Sequence, residues 1–536
     1  MKRNKIVYIF IGIGAIALLF MLLTRVLLEP WAANKIQSAF NKSSDTYHLE
    51  IDKLYISVFK SGIELENIVL ISNPQHDSLT DLKVEIASIQ VKGIKLFKAL
   101  LKNDFVVREV SFINSRVAGK FPFRQNTATA KVSPLNVSMN SLAFDQLVVN
   151  IEDKLTSESF SLHDAVLKVY DLQLTKSDTL SMDIFSQFDI LAKQHITVTA
   201  DSLYTITSAG IHYTAASNML VIDSFLVHPN YNNQAFAAKH EFEIDRFEGG
   251  LSKIAFQDFS AADFVKSGNL ISSYIEIGKL DLSIFRDKRK EFKHVKKPVF
   301  QEIMYNYPGK ISIDSIGILG GEITYTEHAE NANEPGMIKF EKLNVQVFNI
   351  TNDTIYKTEI AYIGFNAEAF LMGKAKLTAQ MKGRLFDNQN TFAVNGTLSE
   401  IEAMELNPML EKNAFIYVNS GKIEAMNFSF TANNAKSSGR MNMSYKSLNV
   451  TVKNKLTDDT TALKERVMSV LANMVLMNSN PMPGEELRMG VIDFERDPEK
   501  SFFNYCAKSI ISGIKSSVTK IPDTQKKSSR KKKDKS

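Results

Sequence analysis

The sequence predicts a mainly β protein, in which one N-terminal transmembrane helix is followed by an antiparallel β-meander and a few short helices. Three observations lead to this prediction. An uncharged apolar run opens the chain, strand-like alternation of apolar and polar residues fills most of the body, and helical periodicity is confined to short segments. With 44% hydrophobic and 23% charged residues, the chain is neither a disordered protein nor a multi-span membrane protein.

The transmembrane helix is predicted at Ile6–Thr24, an uncharged run close to the roughly 20 residues that cross a hydrocarbon core. Three basic residues precede it, which places the N-terminus in the cytoplasm. A cleaved signal peptide is the alternative, but its apolar region usually has about 7–15 residues and ends at a small-x-small site, which Glu29–Ala33 lacks. The residues predicted to anchor the chain are Ile6, Ile9, Phe10, Ile13, Leu18, Phe20, Leu23 and, as an interfacial aromatic, Trp31.

Period-2 alternation marks the strands, and it is clearest in the C-terminal half. Each segment there has one apolar and one polar face, and short spacing between segments favours a meander over βαβ units. Either two such sheets face each other, or one sheet folds into a trough. The apolar positions predicted to share the inner face are Leu377, Met381, Phe392, Val394, Met426, Phe428, Phe430, Met441, Met443 and Tyr445.

A weak internal repeat runs through the body. The apolar spacing of Val107–Val117 matches that of Ile313–Ile323, with partial copies at Phe144–Val149 and Ile222–Val227. Repeated strand units indicate a stack that grows in one direction. A compact sandwich is the alternative, because the strands of any β-meander can resemble one another in the spacing of their apolar residues.

Helical patterns are few. The residues predicted to be helical are 94–101, 299–307, 461–477 and 498–518. The last of these is predicted to begin with Asp497 as N-cap and Pro498 in the first turn. The last two helices are predicted to close one end of the sheet, and the alternative for the final helix is a position on a membrane surface.

Composition excludes several classes of function. The net charge is +5, but the basic tail after Gln525 carries more than that, so the body has no broad basic face for nucleic acid. Cys506 is the single cysteine, which excludes an internal disulfide and a Cys-rich zinc site. The nine histidines form no metalloprotease motif, and no phosphate loop or nucleophile elbow occurs. We therefore predict no enzyme, no catalytic residue, no metal and no cofactor.

Two stretches resemble AsmA-like proteins of Gram-negative envelopes. The N-terminal stretch combines the anchor, the predicted strand pair Leu54–Ile68 and the strand Phe105–Val117. The C-terminal stretch includes the motif Met404–Met409 and the closing segment Asp497–Tyr505. The closing segment is similar to the end of Bacteroidetes-type members. The resemblance covers about residues 1–118 and 360–518, and it is carried by patterned apolar positions.

The resemblance implies an elongated, twisted antiparallel sheet curled into an apolar groove, anchored in the inner membrane with its body in the periplasm. AsmA-like proteins are related to TamB and to bridge-like lipid transfer proteins. The implied domains are an anchor (1–33), two parts of the groove (34–285 and 311–458) separated by a basic linker with a short helix (286–310), capping helices (459–520) and a basic tail (521–536).

The implied function is binding or conducting phospholipid acyl chains, which contributes to lipid transport and outer-membrane homeostasis. The ten inner-face residues would then line the lipid path. The partners would be the inner membrane, phospholipid and other envelope proteins, without nucleic acid. The alternative is an envelope assembly factor that binds outer-membrane proteins through its strand edges. An open apolar face favours the first function, and a filled interior with unpaired edges favours the second.

Overall fold

The computed structural model of the protein describes residues 23–57, 61–73, 81–95, 104–123, 136–174, 187–355, 361–452 and 476–519. The described chain is mainly β, as predicted. Its 23 strands form a mixed, mostly antiparallel sheet, and its helices are few and short. Residue contacts divide the chain into two compact units, Met1–Phe225 with Ser260–Lys266, and Leu226–Phe259 with Ser267–Ser536. We call these the N-terminal unit and the C-terminal unit.

The N-terminal unit begins with a π-helical turn, Thr24–Leu28, that continues directly into helix α1 (Glu29–Ser43). Eight long strands follow, and a ninth starts in this unit. Their bounds are β1 (Tyr47–Ser57), β2 (Gly62–Ser72), β3 (Asp81–Lys92), β4 (Asp104–Phe121), β5 (Asn136–Asp153), β6 (Ser159–Leu174), β7 (Gln187–Val198), β8 (Tyr204–Thr214) and β9 (Met219–Pro229).

The C-terminal unit contains the remaining strands. They are β10 (Asp245–Leu251), β11 (Ile254–Gln257), β12 (Leu270–Ile277), β13 (Leu280–Asp287), β14 (Ile311–Leu319), β15 (Gly321–His328), β16 (Gly336–Thr351), β17 (Tyr362–Leu371), β18 (Ala375–Arg384), β19 (Phe392–Leu398), β20 (Ile401–Glu402), β21 (Ile416–Ala432), β22 (Lys436–Val452) and β23 (Met489–Glu495). The other helices of the chain are α2 (Asn233–Ala238), α3 (Ala261–Ser267), α4 (Phe300–Tyr305) and α5 (Phe502–Val518), and residues 403–414 form short helical turns.

The predicted purely antiparallel pairing is wrong. Three pairs are parallel: β4 with β5, β12 with β14, and β13 with β15. In the C-terminal unit β14 and β15 pair antiparallel with two successive stretches of β16 and therefore run in one direction. The earlier strands β12 and β13 lie beside them in that same direction. Parallel pairing depends on which distant strand lies alongside, which local alternation does not encode.

The predicted hairpin near the N-terminus is confirmed, since β1 and β2 pair antiparallel. The predicted helix at 299–307 is observed as the shorter α4, and the one at 498–518 as α5. Asp497 is not the N-cap of α5, because its carboxylate accepts a hydrogen bond from the Glu499 amide instead. Ser501 takes that role, accepting from the Asn504 amide at 3.2 Å. The predicted helices at 94–101 and 461–477 fall almost entirely outside the described residues.

The basic run at 286–297 begins at the end of β13, and most of its side chains after Asp287 are exposed. Its backbone meets the segment that precedes α5. The Lys297 amide donates to the Pro498 carbonyl oxygen at 2.8 Å, and Arg496 donates to the Lys297 carbonyl oxygen at 2.9 Å. His294 lies 2.9 Å from the Glu499 carboxylate. These contacts connect the segment before α5 to the loop between β13 and α4.

Candidate functional site

The ten predicted inner-face residues do lie together. Register places them in rows across β18, β19, β21 and β22, such as Met381–Val394–Phe430, and Leu377–Leu398–Met426–Met443. Eight of the ten are 0–7% exposed, while Leu377 and Met381 are half-buried. All ten belong to, or pack against, one apolar cluster of the C-terminal unit.

Helix α5 covers this cluster. Phe502 and Tyr505 contact Phe392, with ring centroids 5.1 Å and 6.0 Å apart. The approach is close because small residues of α5 meet the sheet: the buried hydroxyls of Ser509 and Ser437 are 2.8 Å apart. Gly513 fits so closely that a Cβ there would lie 2.8 Å from the Cγ1 atom of Ile492. The sheet face is therefore filled by the chain's own helix.

Burial shifts the pKa values of ionisable groups in this interior. Burial raises the pKa of Tyr505 and of Cys506 to about 12, because water no longer solvates the charged forms. Burial likewise raises the pKa of Tyr445 to about 12. In this conformation the C-terminal face is a closed core, and contact of these residues with lipid stays a prediction.

A second apolar face, which the sequence reading missed, lies in the N-terminal unit. Register aligns apolar side chains in two continuous rows. The first row is Leu54, Leu65, Ile89, Phe112, Phe144, Leu167, Ile190 and Tyr213, one residue from each of β1 to β8. The second is Ile56, Ile63, Val91, Val110, Leu142, Val169 and Phe188. We call these fifteen residues the apolar rows.

The apolar rows are less covered than the C-terminal core. Twelve of the fifteen side chains are half-buried, and only Leu54, Val169 and Tyr213 are buried. Helices reach the two ends of the first row: Leu54 shares a cluster with Ala33 of α1, and the Ala261 amide at the start of α3 donates to the Tyr213 hydroxyl. Between these ends, no other helix described in this unit lies on the rows. The first row spans about 34 Å and the second about 29 Å, at about 4.8 Å between neighbouring strands.

The opposite face of the same strands is polar. Ser88 and Gln90 donate to Glu64 at 2.9 Å and 3.0 Å. Lys92 pairs with Glu109 at 3.2 Å, and this bond together with one from Ser111 lowers the pKa of Glu109. The sheet of this unit therefore has a solvated, charged side and an apolar side without charged residues in its rows.

The apolar rows were not evident from the sequence because the alternation of apolar and polar residues changes phase within these strands. The apolar residues of these strands follow the spacing i, i+2, i+5, i+7, as in Leu142, Phe144, Leu147 and Val149 of β5. Left-handed residues sit at the three-residue step in several strands, with φ between 48° and 61° at Asn67, Asn114, Gln146, Asp164 and Gly210. Like a β-bulge, such a residue bends the strand and changes the face to which the following side chains point. In β1, Ile51 and Leu54 flank the step and pack in one cluster.

The free edge of β1 is closed by α1. The Asn41 side chain donates to the Leu49 carbonyl oxygen at 3.0 Å and accepts from the Leu49 amide at 2.8 Å. Gln37 accepts from the Ile51 amide at 3.0 Å, and the Glu29 carboxylate accepts from the Ile56 amide at 2.9 Å. These bonds satisfy backbone groups that an added strand would otherwise use.

The outer edge of β23 is closed in the same way by α5. The Val491 amide donates to Ser516 Oγ at 3.0 Å, and the Asp493 amide donates to Ser512 Oγ at 3.3 Å. Among the described strands, residue register pairs β23 with β22 and β1 with β2. Both strand edges are thus occupied by helix side chains.

A group of partly buried charges lies in the C-terminal unit. Arg286 pairs with Asp245 through two hydrogen bonds, and Lys288 lies 2.8 Å from Glu327. Tyr325 and Asn413 donate to the same Glu327 carboxylate at 2.7 Å and 2.8 Å. Despite burial, Lys288 and these two donors keep the pKa of Glu327 below its ordinary value. Each of these charges has a partner of opposite sign within the C-terminal unit.

Most of the predicted anchor residues lie outside the described part of the chain. These are Ile6, Ile9, Phe10, Ile13, Leu18 and Phe20. Leu23 and Trp31 are described, and both are exposed. Among the residues that the structure describes, no helix is long and apolar enough to cross a membrane.

Comparison with known proteins adds no assignment. The chain matches no family model, and no curated protein shows significant similarity to it.

Proposed function

We propose that the apolar rows of the N-terminal unit bind the acyl chains of phospholipids. The observation that carries this proposal is the continuity of the rows: fifteen apolar side chains aligned across eight strands, most of them half-buried, with a charged face behind them. Apolar surface left in water costs about 25 cal/mol per Å². An acyl chain that lies along the rows would cover this apolar surface and remove that cost. The chain would not need one fixed position to do so.

The chemistry of the apolar rows suits a variable chain rather than one specific molecule. Tyr213 is their only member with a side-chain polar group, and its hydroxyl accepts from Ala261. Phe112 and Phe144 stack with centroids 4.7 Å apart, which adds a flat apolar surface near the middle. Since hydrophobic contact is non-directional, such a face tolerates chains of different length and unsaturation.

The wider proposal follows the AsmA-like resemblance. We propose that the chain is anchored in the inner membrane by Ile6–Thr24, that its body lies in the periplasm, and that its strands curl into a groove that supports lipid transport and outer-membrane homeostasis. The alternative, an assembly factor acting by strand addition, has less support, because the edges of β1 and β23 are occupied by α1 and α5.

The topology part of the proposal has a direct test. We expect a phosphatase that works only outside the cytoplasm to be active when fused after Val518, because three basic residues precede the apolar run. A reporter that needs the cytoplasm should be silent at the same position. The reverse pattern, or a mature chain starting near Asn34, would refute the anchored periplasmic topology.

The lipid part is tested by extraction. The full chain, purified in mild detergent and washed, is expected to retain phospholipid that mass spectrometry detects at a fixed ratio to protein. The control is a membrane protein with one transmembrane helix and no β body, purified identically. Equal lipid content in the two preparations would count against the acyl-chain site.

A further inference from the structure

The helical stretch from Leu23 to the end of α1 has two different sides. One side bonds the edge of β1 through Glu29, Gln37 and Asn41, which recur at intervals of four or eight residues along one face. Glu29 is buried at 6% exposure, and Ala33 on the same face is buried as well. The side chains on this side of the helix therefore bond to β1 or are buried against it.

The other side is exposed, and its residues change from mostly apolar to mostly polar along the helix axis. Val26, Leu27 and Trp31 are 65%, 63% and 61% exposed, and Leu23 and Leu28 are exposed too. Arg25 is the one exposed charged residue between Leu23 and Trp31, and its long side chain can extend from an apolar medium to the interface. After Trp31, the exposed residues of α1 are mostly polar: Asn34, Lys35, Ser38, Lys42 and Ser43, with Ile36 and Ala39 as the apolar exceptions. A helix lying flat in an interface would keep an apolar stripe along its whole length. The change after Trp31 instead fits a helix that leaves an apolar medium.

We propose that the exposed apolar residues between Leu23 and Trp31 are seated in a lipid bilayer, with Trp31 at its interface, and that the contacts of α1 hold the Ile56 end of β1 against this bilayer. This inference rests on the proposed anchor, because the apolar run Ile6–Thr24 leads directly into this stretch. Tryptophan favours the interface, where its ring is apolar and its N–H remains near water.

The contacts with β1 set the orientation of the sheet. Along α1, bonding runs from Glu29 to Gln37 to Asn41, while along β1 it runs from Ile56 to Ile51 to Leu49. Glu29 and Asn41 are about 18 Å apart along the helix axis, at 1.5 Å per residue. The Ile56 end of β1 therefore lies on the bilayer side, and the Leu49 end points away from it.

This orientation applies to the lipid-binding face as well. The second of the apolar rows starts at Ile56 and continues through Ile63 of β2. It is the row that the bonded helix places closest to the bilayer. The Leu49–Leu70 pair, at the other end of the same two strands, lies farther from it.

Two exposed positions outside the apolar rows test the orientation. Ser57 follows Ile56, and Asp45 lies near the other end of β1. Each is replaced singly, as Ser57→Cys or Asp45→Cys, in full-length protein carrying Cys506→Ser, and labelled with a fluorophore. The proteins are reconstituted into vesicles of phosphatidylethanolamine and phosphatidylglycerol that contain a lipid with a spin-labelled headgroup. We expect several-fold stronger quenching at Ser57 than at Asp45.

Trp31, the only tryptophan, gives a second readout without any label. Lipids brominated near the headgroup should quench it more than lipids brominated near the bilayer centre. Equal or reversed quenching at Ser57 and Asp45, or an unquenched Trp31, would overturn the inference. Neither label faces the apolar rows, so these results are independent of whether the rows hold lipid, and failure of the acyl-chain proposal would appear separately in the lipid extraction.

Discussion

Replacing Phe428 with Asp should unfold the C-terminal unit. Phe428 is 4% exposed and lies in the closed cluster under α5. Its ring covers Gly396, where an added Cβ would already lie 2.6 Å from the Thr378 carbonyl oxygen. Removing a buried Phe side chain typically costs about 3–5 kcal/mol, and burying a carboxylate without a partner adds to this cost. The sum is comparable to the total stability of an ordinary domain.

Asn427→Asp is the matched control, because Asn427 is exposed on the other face of the same strand. Thermal unfolding and limited proteolysis of both full-length variants provide the measurement. We expect Phe428→Asp to lose the cooperative transition of the C-terminal unit and Asn427→Asp to keep it. If both variants were as stable as the parent protein, the C-terminal face would be an open trough instead of a core.

The same change at Phe144 should have the opposite outcome. Phe144 is half-buried in the middle of the apolar rows, between Phe112 and Leu167. Loss of the stacked ring pair costs about 0.5–1.5 kcal/mol beyond its area burial. Because Phe144 is not fully buried, water can reach the new carboxylate. The fold should therefore survive. A charge in the middle of the rows should, however, repel acyl chains and remove most of the bound lipid.

Lipid content per protein, measured by mass spectrometry, checks this result. Phe144→Leu keeps the rows apolar and should retain lipid at nearly the parent level. Asn150→Asp adds a carboxylate at an exposed position of the same strand and should also retain it. Undiminished lipid in Phe144→Asp would exclude the apolar rows as the site, while unfolding of this variant would show that they form a closed core.

Much of the fold follows from local pattern. β18, β19 and residues 426–432 of β21 alternate between apolar and polar residues, so their existence and their inner faces could be predicted residue by residue. The first half of β21 contains bulges that interrupt this alternation. The amphipathic α5 was predictable for the same reason, although its start moved from Asp497 to Ser501. The three parallel pairings were not predictable, since they depend on which distant strand lies alongside.

The candidate site was harder to predict, for two physical reasons. The strict alternation around Phe428 identified an apolar face but could not show that α5 covers it, because the destination of an amphipathic helix is a tertiary property. The rows around Phe144 were hidden by the phase shift at residues such as Gln146, which breaks the period of two. The internal repeat, Phe144–Val149 among its copies, contained that shift and was the signal that could have identified it.

Photo-crosslinking in cells tests the acyl-chain site most directly. A photoreactive amino acid is placed at Phe112, in the first of the apolar rows, or at Arg116, which is exposed on the opposite face of β4. After irradiation, intact-mass measurement of the purified full-length chain should show a phospholipid adduct at Phe112 and none at Arg116. Equal lipid adducts at both positions, or protein adducts alone at Phe112, would contradict the proposal that this face binds acyl chains.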